Sequence, residues 1–289
     1  METETSPPVL RIDDLRLTLS PARFPGPPNE VFRGLCLEIP RGVSVAVLGT
    51  TGSGKTLLCR AVTRLFHQLP VREIKGSVSF ANQNLLETSQ AKLSQIRGSR
   101  IGHVLQDAHE HFHPRLTISQ HFHLLLHPKF RKQQSGWTEH AMHYLYRVGI
   151  VDPDELLQER VFPGELDVRL RQKIMIALAL AREPELLVAD EPTAEFDSHS
   201  VDRVASALEA LKRERGLSVL FATGRVRRAE QFGDRIAILD QGVIAECAPP
   251  RDLFREGGKD ITGAFLDGTA VAGKPKERLL AHRKFSGSE

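Results

Sequence analysis

Cysteine is scarce. Cys36, Cys59 and Cys247 lie far apart in 289 residues and form no CxxC pair. That excludes a disulfide framework and a structural zinc site, and it points to a reducing compartment. Long apolar runs are also missing, since no window approaches the roughly 18 apolar residues that a membrane-spanning helix needs. The opening METETSPPVLRIDD is acidic and broken by prolines, so it does not read as a signal peptide. No charge dominates: 39 Lys and Arg stand against 36 Asp and Glu, a net of +3. No basic run carries interleaved aromatics, which argues against nucleic acid as a partner. What is present, 40% hydrophobic and 26% charged residues, is the composition of a soluble globular protein. The length allows one large core, or a core with an inserted subdomain.

The most informative stretch is Gly49-Thr50-Thr51-Gly52-Ser53-Gly54-Lys55-Thr56, directly after the apolar run Val43 to Leu48. It reads as a buried strand entering a glycine-rich loop, with a helix beginning near Lys55. Glycines let backbone N–H groups turn inward around a phosphate, and the helix N-terminus adds the positive end of its dipole. In that arrangement Lys55 reaches the β- and γ-phosphates of ATP and the Thr56 hydroxyl ligates Mg²⁺. GxxxxGK[ST] in a strand–loop–helix setting is a specific signal for a P-loop nucleotide site.

Around it the pattern alternates strand and helix. Residues 8–18 alternate apolar and polar as an edge strand does, residues 20–30 are a Pro/Gly loop, and Val31–Ile39 reads as a strand. Leu57–Phe66 has helical periodicity, Gly76–Phe80 is a short strand, and Ile101–Asp107 a strand ending in Gln106 and Asp107. From about 108 to 170 the pattern is mainly helical, clearest over Trp137–Val148, and suggests an inserted helical subdomain. A strongly apolar helix over Leu170–Ala181 returns to the core. Strands are expected at Leu186–Asp190, Ser218–Thr223 and Arg235–Leu239, with a helix at Val201–Arg213. Together these predict an α/β P-loop NTPase fold: a RecA-like core with a parallel sheet, an antiparallel β subdomain, and the helical insertion. After about residue 268 apolar periodicity is lost and basic charge rises, so 269–289 reads as a mobile basic tail.

Asp190 and Glu191 end a buried apolar strand, as the loop carrying Lys55 ends another. In a parallel sheet such ends converge at the carboxyl edge, where ligands bind. Asp190 suits a Mg²⁺ carboxylate, and Glu191 suits a general base that polarises the attacking water.

The P-loop, Gln106 at a strand end, and Asp190-Glu191-Pro192-Thr193 together resemble the ATP-binding subunit of an ABC transporter over roughly residues 8–268. Phe162-Pro163-x-Glu165-Leu166, followed by Gln172 to Ala177 and Ala189 to Thr193, is similar to the peptide/nickel importer branch (dipeptide, oligopeptide, nickel and Sap types). Residues 250–266 resemble that branch as well. The resemblance implies two such subunits head to tail beneath membrane-spanning permease subunits, each ATP lying between one P-loop and the partner's signature motif. The second ATPase subunit is a related chain or a copy of this one, and a solute-binding protein takes part indirectly. It also implies a peripheral location on the cytoplasmic face of the cell membrane. By the same resemblance Gln106 senses Mg²⁺ and the γ-phosphate, and Asp197 crosses to the partner.

Two motifs depart from the family. Where its members carry Leu-Ser-Gly-Gly, this chain reads Leu166-Asp167-Val168-Arg169. Asp167 brings negative charge toward a phosphate, and one like-charge pair costs up to about 4 kcal/mol at about 4 Å and an effective dielectric of about 20, before Arg169 compensates. Where the family has Thr-His-Asp, the chain reads Thr223-Gly224-Arg225, and no histidine lies between His199 and His282. ATP binding is therefore expected to be intact and hydrolysis slow. A degenerate subunit that stabilises a heterodimer with an active partner is the alternative, and a soluble ATPase of DNA repair or translation is a third reading. Phe24 is a candidate for stacking on adenine. The dense stretch His103, His109, His111, His113, His121, His123 and His127 reads as surface and interface histidines, with a metal or pH sensor as the sharper alternative.

Overall fold

The computed structural model describes residues 7–254, apart from 22–25, 67–68, 107–110, 127–135 and 159. Strand β1 (Leu10–Leu19) alternates buried and exposed residues, as its sequence predicts. It is not an edge strand. It pairs antiparallel with β2 (Asn29–Ile39) on one side and β4 (Val71–Phe80) on the other, with β5 (Gln83–Asn84) beyond. Alternation reports that one face of a strand is buried, and says nothing about whether both edges are hydrogen-bonded. The antiparallel subdomain expected on either side of the phosphate loop is this four-stranded sheet.

The second sheet holds β3 (Ser44–Leu48), β6 (Ile101–Val104), β7 (Leu186–Asp190), β8 (Ser218–Thr223), β9 (Arg235–Asp240) and β10 (Val243–Ala248), in the order β10-β9-β3-β8-β7-β6. All neighbours are parallel except β10, which returns antiparallel along β9. Every residue of β3, β7 and β8 is buried, as the unbroken apolar runs require of strands covered on both faces. Alternate side chains of β3 go to opposite layers. Val45 and Val47 pack with Leu58, Cys59 and Val62 of α1 (Lys55–Thr63) and with the antiparallel sheet. Ala46 and Leu48 pack beside Ala229 of α8 (Val226–Phe232) and Leu253 of α9 (Pro250–Leu253).

Helix α2 (Gln90–Ile96) precedes β6, while α3 (Ile118–Leu126), α4 (Gly136–Arg147) and α5 (Pro153–Gln158) follow it. The last three make up the helical insertion, returning to the sheet through α6 (Val168–Ala181); α7 (Ser198–Arg215) follows β7. Phe122, Leu126, Tyr144 and Leu145 of the insertion join Ile174 and Ala177 of α6 and Phe221 of β8 in one core. Helix α2 and strand β10 were not expected from the sequence: α2 is a short amphipathic helix of about two turns, and β10 is half-buried throughout. The tail at 269–289 and most of 250–266 lie outside the described residues.

The Phe221 ring is fully buried and stacks on Phe232, with centroids 4.3 Å apart and 9° between the planes. Phe221→Ala is expected to cost about 3–5 kcal/mol of stability, read from the urea midpoint, and Phe221→Leu clearly less. A shift below 1 kcal/mol for the alanine variant (about a tenth of the usual stability of a domain) contradicts this packing.

Candidate functional site

The loop after β3 has the conformation its glycines allow. Gly52 and Gly54 have φ of +80° and +104°, a region that costs L residues energy. At Gly49 a Cβ would press on Ser53 Oγ and lie 3.0 Å from Leu239 O, so a side chain there requires its neighbours to shift. Gly54 stands at the N-terminus of α1, and its carbonyl accepts from Leu58 N at 2.8 Å. Lys55 is nearly buried and lies across the loop, its Nζ donating to Gly49 O at 2.8 Å and Thr50 O at 3.1 Å. Burial lowers its pKa, opposed by Glu191 and then Asp190. Thr51 and Gly52 are exposed at the tip, and the buried Ser53 Oγ has no hydrogen-bond partner.

Asp190 ends β7 at 2% exposure. Burial raises its pKa; a hydrogen bond from the Thr56 side chain opposes that, and the charge of Glu191 adds to it. Its Oδ1 is buried without a partner. A buried, unpaired carboxylate oxygen is costly. Beside a threonine hydroxyl, at the N-terminal end of a helix that can take phosphates, it fits a hard divalent cation such as Mg²⁺. Gln106 is exposed in the segment after β6, and among the described residues no hydrogen bond joins it to Thr56 or Asp190.

Glu191 has φ of +45°, and its amide donates to Ala222 O at 2.9 Å. Its side chain turns back to the end of β8, where Oε1 accepts from Gly224 N at 2.6 Å and Oε2 from Thr223 Oγ1 at 3.1 Å. A Cβ built on Gly224 would lie 3.5 Å from Glu191 Oε1, 3.5 Å from Gly49 O and 4.0 Å from Lys55 Nζ. A side chain at position 224 would thus begin between the loop and Glu191 at ordinary contact distances. The structure brings together Lys55, Thr56, Asp190 and Glu191, which the sequence scatters. Thr223 joins them, and its only signal in the sequence is a hydroxyl closing a buried strand.

Two further helix ends bear on the departed signature. Asp167 caps α6, its carboxylate accepting from Leu170 N at 2.8 Å. Its charge is therefore engaged by the amides of its own helix, a role that aspartate and serine share at N-caps. Asp197 caps α7 in the same way, accepting from Ser200 N at 2.8 Å, and that bond chiefly holds its pKa down. Arg169 Nη1 lies 3.8 Å from Asp197 Oδ2, both side chains being more than half exposed, so the pair contributes little stability. Val168 is 44% exposed.

The histidine stretch does not gather into one cluster. His121 accepts from His113 N at 3.0 Å through Nε2, while its Nδ1 lies 2.8 Å from Thr117 O, so it ties a loop to the start of α3. His123 meets the edge of Trp137. Among the described residues no cluster of three or more His, Cys, Asp or Glu could hold a metal ion. His109, His127 and Phe24 lie outside the described residues. His103, on β6, has both ring nitrogens buried without partners.

A sequence model of the ABC transporter family matches residues 32–194. The chain is 28% identical over 239 residues to the dipeptide transport ATP-binding protein DppD of Bacillus subtilis (strain 168), spanning 82% of this chain and 70% of that protein. It is 30% identical over 234 residues to the probable peptide ABC transporter ATP-binding protein y4tR of Sinorhizobium fredii (strain NBRC 101917 / NGR234), spanning 81% and 69%. Among solved structures it is similar to the dimeric post-hydrolysis state of the ATP-binding cassette MJ0796 bound to ADP and Pi. That likeness has a TM-score of 0.72 and 25% identity, over 84% of this chain and 99% of the other.

Burial, with His111, Arg60 and Arg97 adding, lowers the His103 pKa from 6.5 to about 3. Below about pH 6.5 the unfolded chain takes up a proton that the fold refuses, so stability present above that pH is lost as pH falls toward about 3. His103→Met removes this penalty. Its urea midpoint is expected to gain on wild type as pH falls from about 7 to about 5, and parallel pH dependences of the two proteins contradict the assignment.

Proposed function

The chain belongs to the ABC transporter family, and on that premise we propose that it is the ATP-binding subunit of a peptide importer, coupling ATP binding and hydrolysis to transport. The observation that carries this reading is the assembly of Lys55, Thr56, Asp190 and Glu191 at one sheet edge, around a phosphate loop with an unpaired Asp190 oxygen. Peptide as cargo is supported by the names of the relatives, which are dipeptide and peptide transport proteins. Among the described residues no helix is long and apolar enough to cross a membrane. Contact with the bilayer then runs through permease subunits, with this chain peripheral on the cytoplasmic face. A second ATPase subunit, a copy or a related chain, completes the site, and a solute-binding protein contributes indirectly.

In this mechanism the amides of Gly49 to Thr56 hold the phosphates of ATP, and Lys55 exchanges its two loop carbonyls for phosphate oxygens. Thr56, Asp190 and Gln106 would hold Mg²⁺, which would neutralise phosphate charge. Glu191 takes a proton from water as the water oxygen bonds to the γ-phosphorus and the bond to the leaving ADP oxygen breaks. A second reading is favoured by one observation: position 224, beside Glu191 and Lys55, carries no side chain. On that reading the chain holds ATP in a heterodimer and its partner does the chemistry.

The test is ATP hydrolysis by the purified chain, alone and with its neighbouring ATPase subunit. Glu191→Gln is expected to lower turnover at least about 100-fold with ATP affinity preserved, the usual weight of a general base. An unchanged rate with nucleotide still bound favours the second reading.

Because the backbone at 224 accepts a Cβ, Gly224→His is expected to raise turnover by about tenfold, within the range of a positioned acid–base group. No gain from Gly224→His argues that slow turnover has its origin elsewhere.

A further inference from the structure

We propose that Thr223 is a positioning residue for Glu191, a role that rests on reading Glu191 as the base. Glu191 sits in the left-handed region at φ +45°, where its short loop must restrain it. Its amide donates to Ala222 O at 2.9 Å and its carbonyl accepts from Ala194 N at 3.2 Å. These bonds fix the backbone and send the side chain toward the end of β8. They leave the carboxylate itself free to rotate. Two donors on consecutive residues stop that rotation, with Gly224 N on Oε1 at 2.6 Å and Thr223 Oγ1 on Oε2 at 3.1 Å. Thr223 supplies the one side-chain donor to this carboxylate among the described residues.

The direction of the Thr223 bond follows from the carboxylate, which as a base has no proton to donate. Arg225 N lies 3.1 Å from the same hydroxyl oxygen, and an amide N–H can only donate. The hydroxyl therefore accepts from Arg225 with one lone pair and keeps its single proton to donate to the Glu191 carboxylate. The hydroxyl is itself held rigidly. Thr223 is 1% exposed, stands opposite Leu48 in the β3–β8 register, and accepts from Gly49 N through its carbonyl at 3.3 Å. One residue therefore holds the first glycine of the phosphate loop by its backbone and the carboxylate of Glu191 by its side chain. The distance from loop to base is set by a single strand end, the kind of support that keeps a reacting group in register. Each carboxylate oxygen keeps a lone pair for the proton of water.

The test compares turnover and affinity for a fluorescent ATP analogue in the full chain assayed with its neighbouring ATPase subunit. Wild type, Thr223→Val, Thr223→Ser, Glu191→Gln and the Thr223→Val/Glu191→Gln double variant are needed. Thr223→Val keeps the shape and removes the donor; it is expected to lower kcat about tenfold with affinity unchanged within about twofold. Thr223→Ser restores the donor and is expected to stay within about threefold of wild type. In the Glu191→Gln background Thr223→Val is expected to have no further effect, because the group it positions is gone. Thr223→Ala makes the same comparison if valine prevents folding. An unchanged kcat in Thr223→Val overturns the proposal. So does an equal loss in Thr223→Ser, or the same tenfold loss repeated on top of Glu191→Gln. Failure of the underlying reading looks different: Glu191→Gln alone then leaves the rate of wild type untouched.

Discussion

The hydrogen bonding of β8 between β3 and β7 is the constraint on which the site depends. β8 is in register with β3 at Thr223 and Leu48, and with β7 at Ala222 and Asp190. Two bonds beyond the strands extend that register into the loops, from Gly49 N to Thr223 O and from Glu191 N to Ala222 O. The phosphate loop and the acidic pair are thereby fastened to the same strand end. Parallel strands need crossover helices to return the chain, so residues far apart in sequence close on one edge.

That edge is electrostatically unfinished. Burial lowers the pKa of Lys55 and raises that of Asp190, so in each case the fold disfavours the charged form that phosphate and cation binding would use. Lys55 is satisfied by the carbonyls of its own loop, whereas Asp190 Oδ1 and Ser53 Oγ are not satisfied at all. Buried polar groups left in this condition are costly, and a bound ligand is one way they are completed. The ends of α6 and α7 show the opposite economy. Asp167 and Asp197 each answer the amides of their own helix, so the positive end of each dipole already has a negative neighbour. A serine at 167 would cap the helix without that charge.

Much of the fold was legible in the sequence, and the reasons are specific. Ser218–Thr223 matched β8 to the residue because the apolar run Val219–Ala222 is closed at each end by one hydroxyl residue. Residues 8–18 were legible as a strand, yet placed at an edge when β1 is central, because pairing on the second edge leaves no trace in a pattern of faces. Helix α2 was missed since it buries only Leu93 and Ile96, too few positions to establish a period. The histidine stretch was legible along the chain, but in space it divides: His121 bonds the His113 backbone, His123 meets Trp137, and the ring nitrogens of His103 are buried.

The sequence by itself determined the phosphate loop, since the positive φ at Gly52 and Gly54 is a demand that glycine meets without strain. It determined, too, that two carboxylates end a buried strand and that position 224 has no side chain. Tertiary structure alone decided what surrounds them. That Glu191 bonds Thr223 and Gly224, that Asp190 has an oxygen without a partner, and that Asp167 faces its own helix are outcomes of strand order and helix capping. These are relations between residues distant in the chain or turned by local backbone geometry, and hydrophobic period carries no record of them.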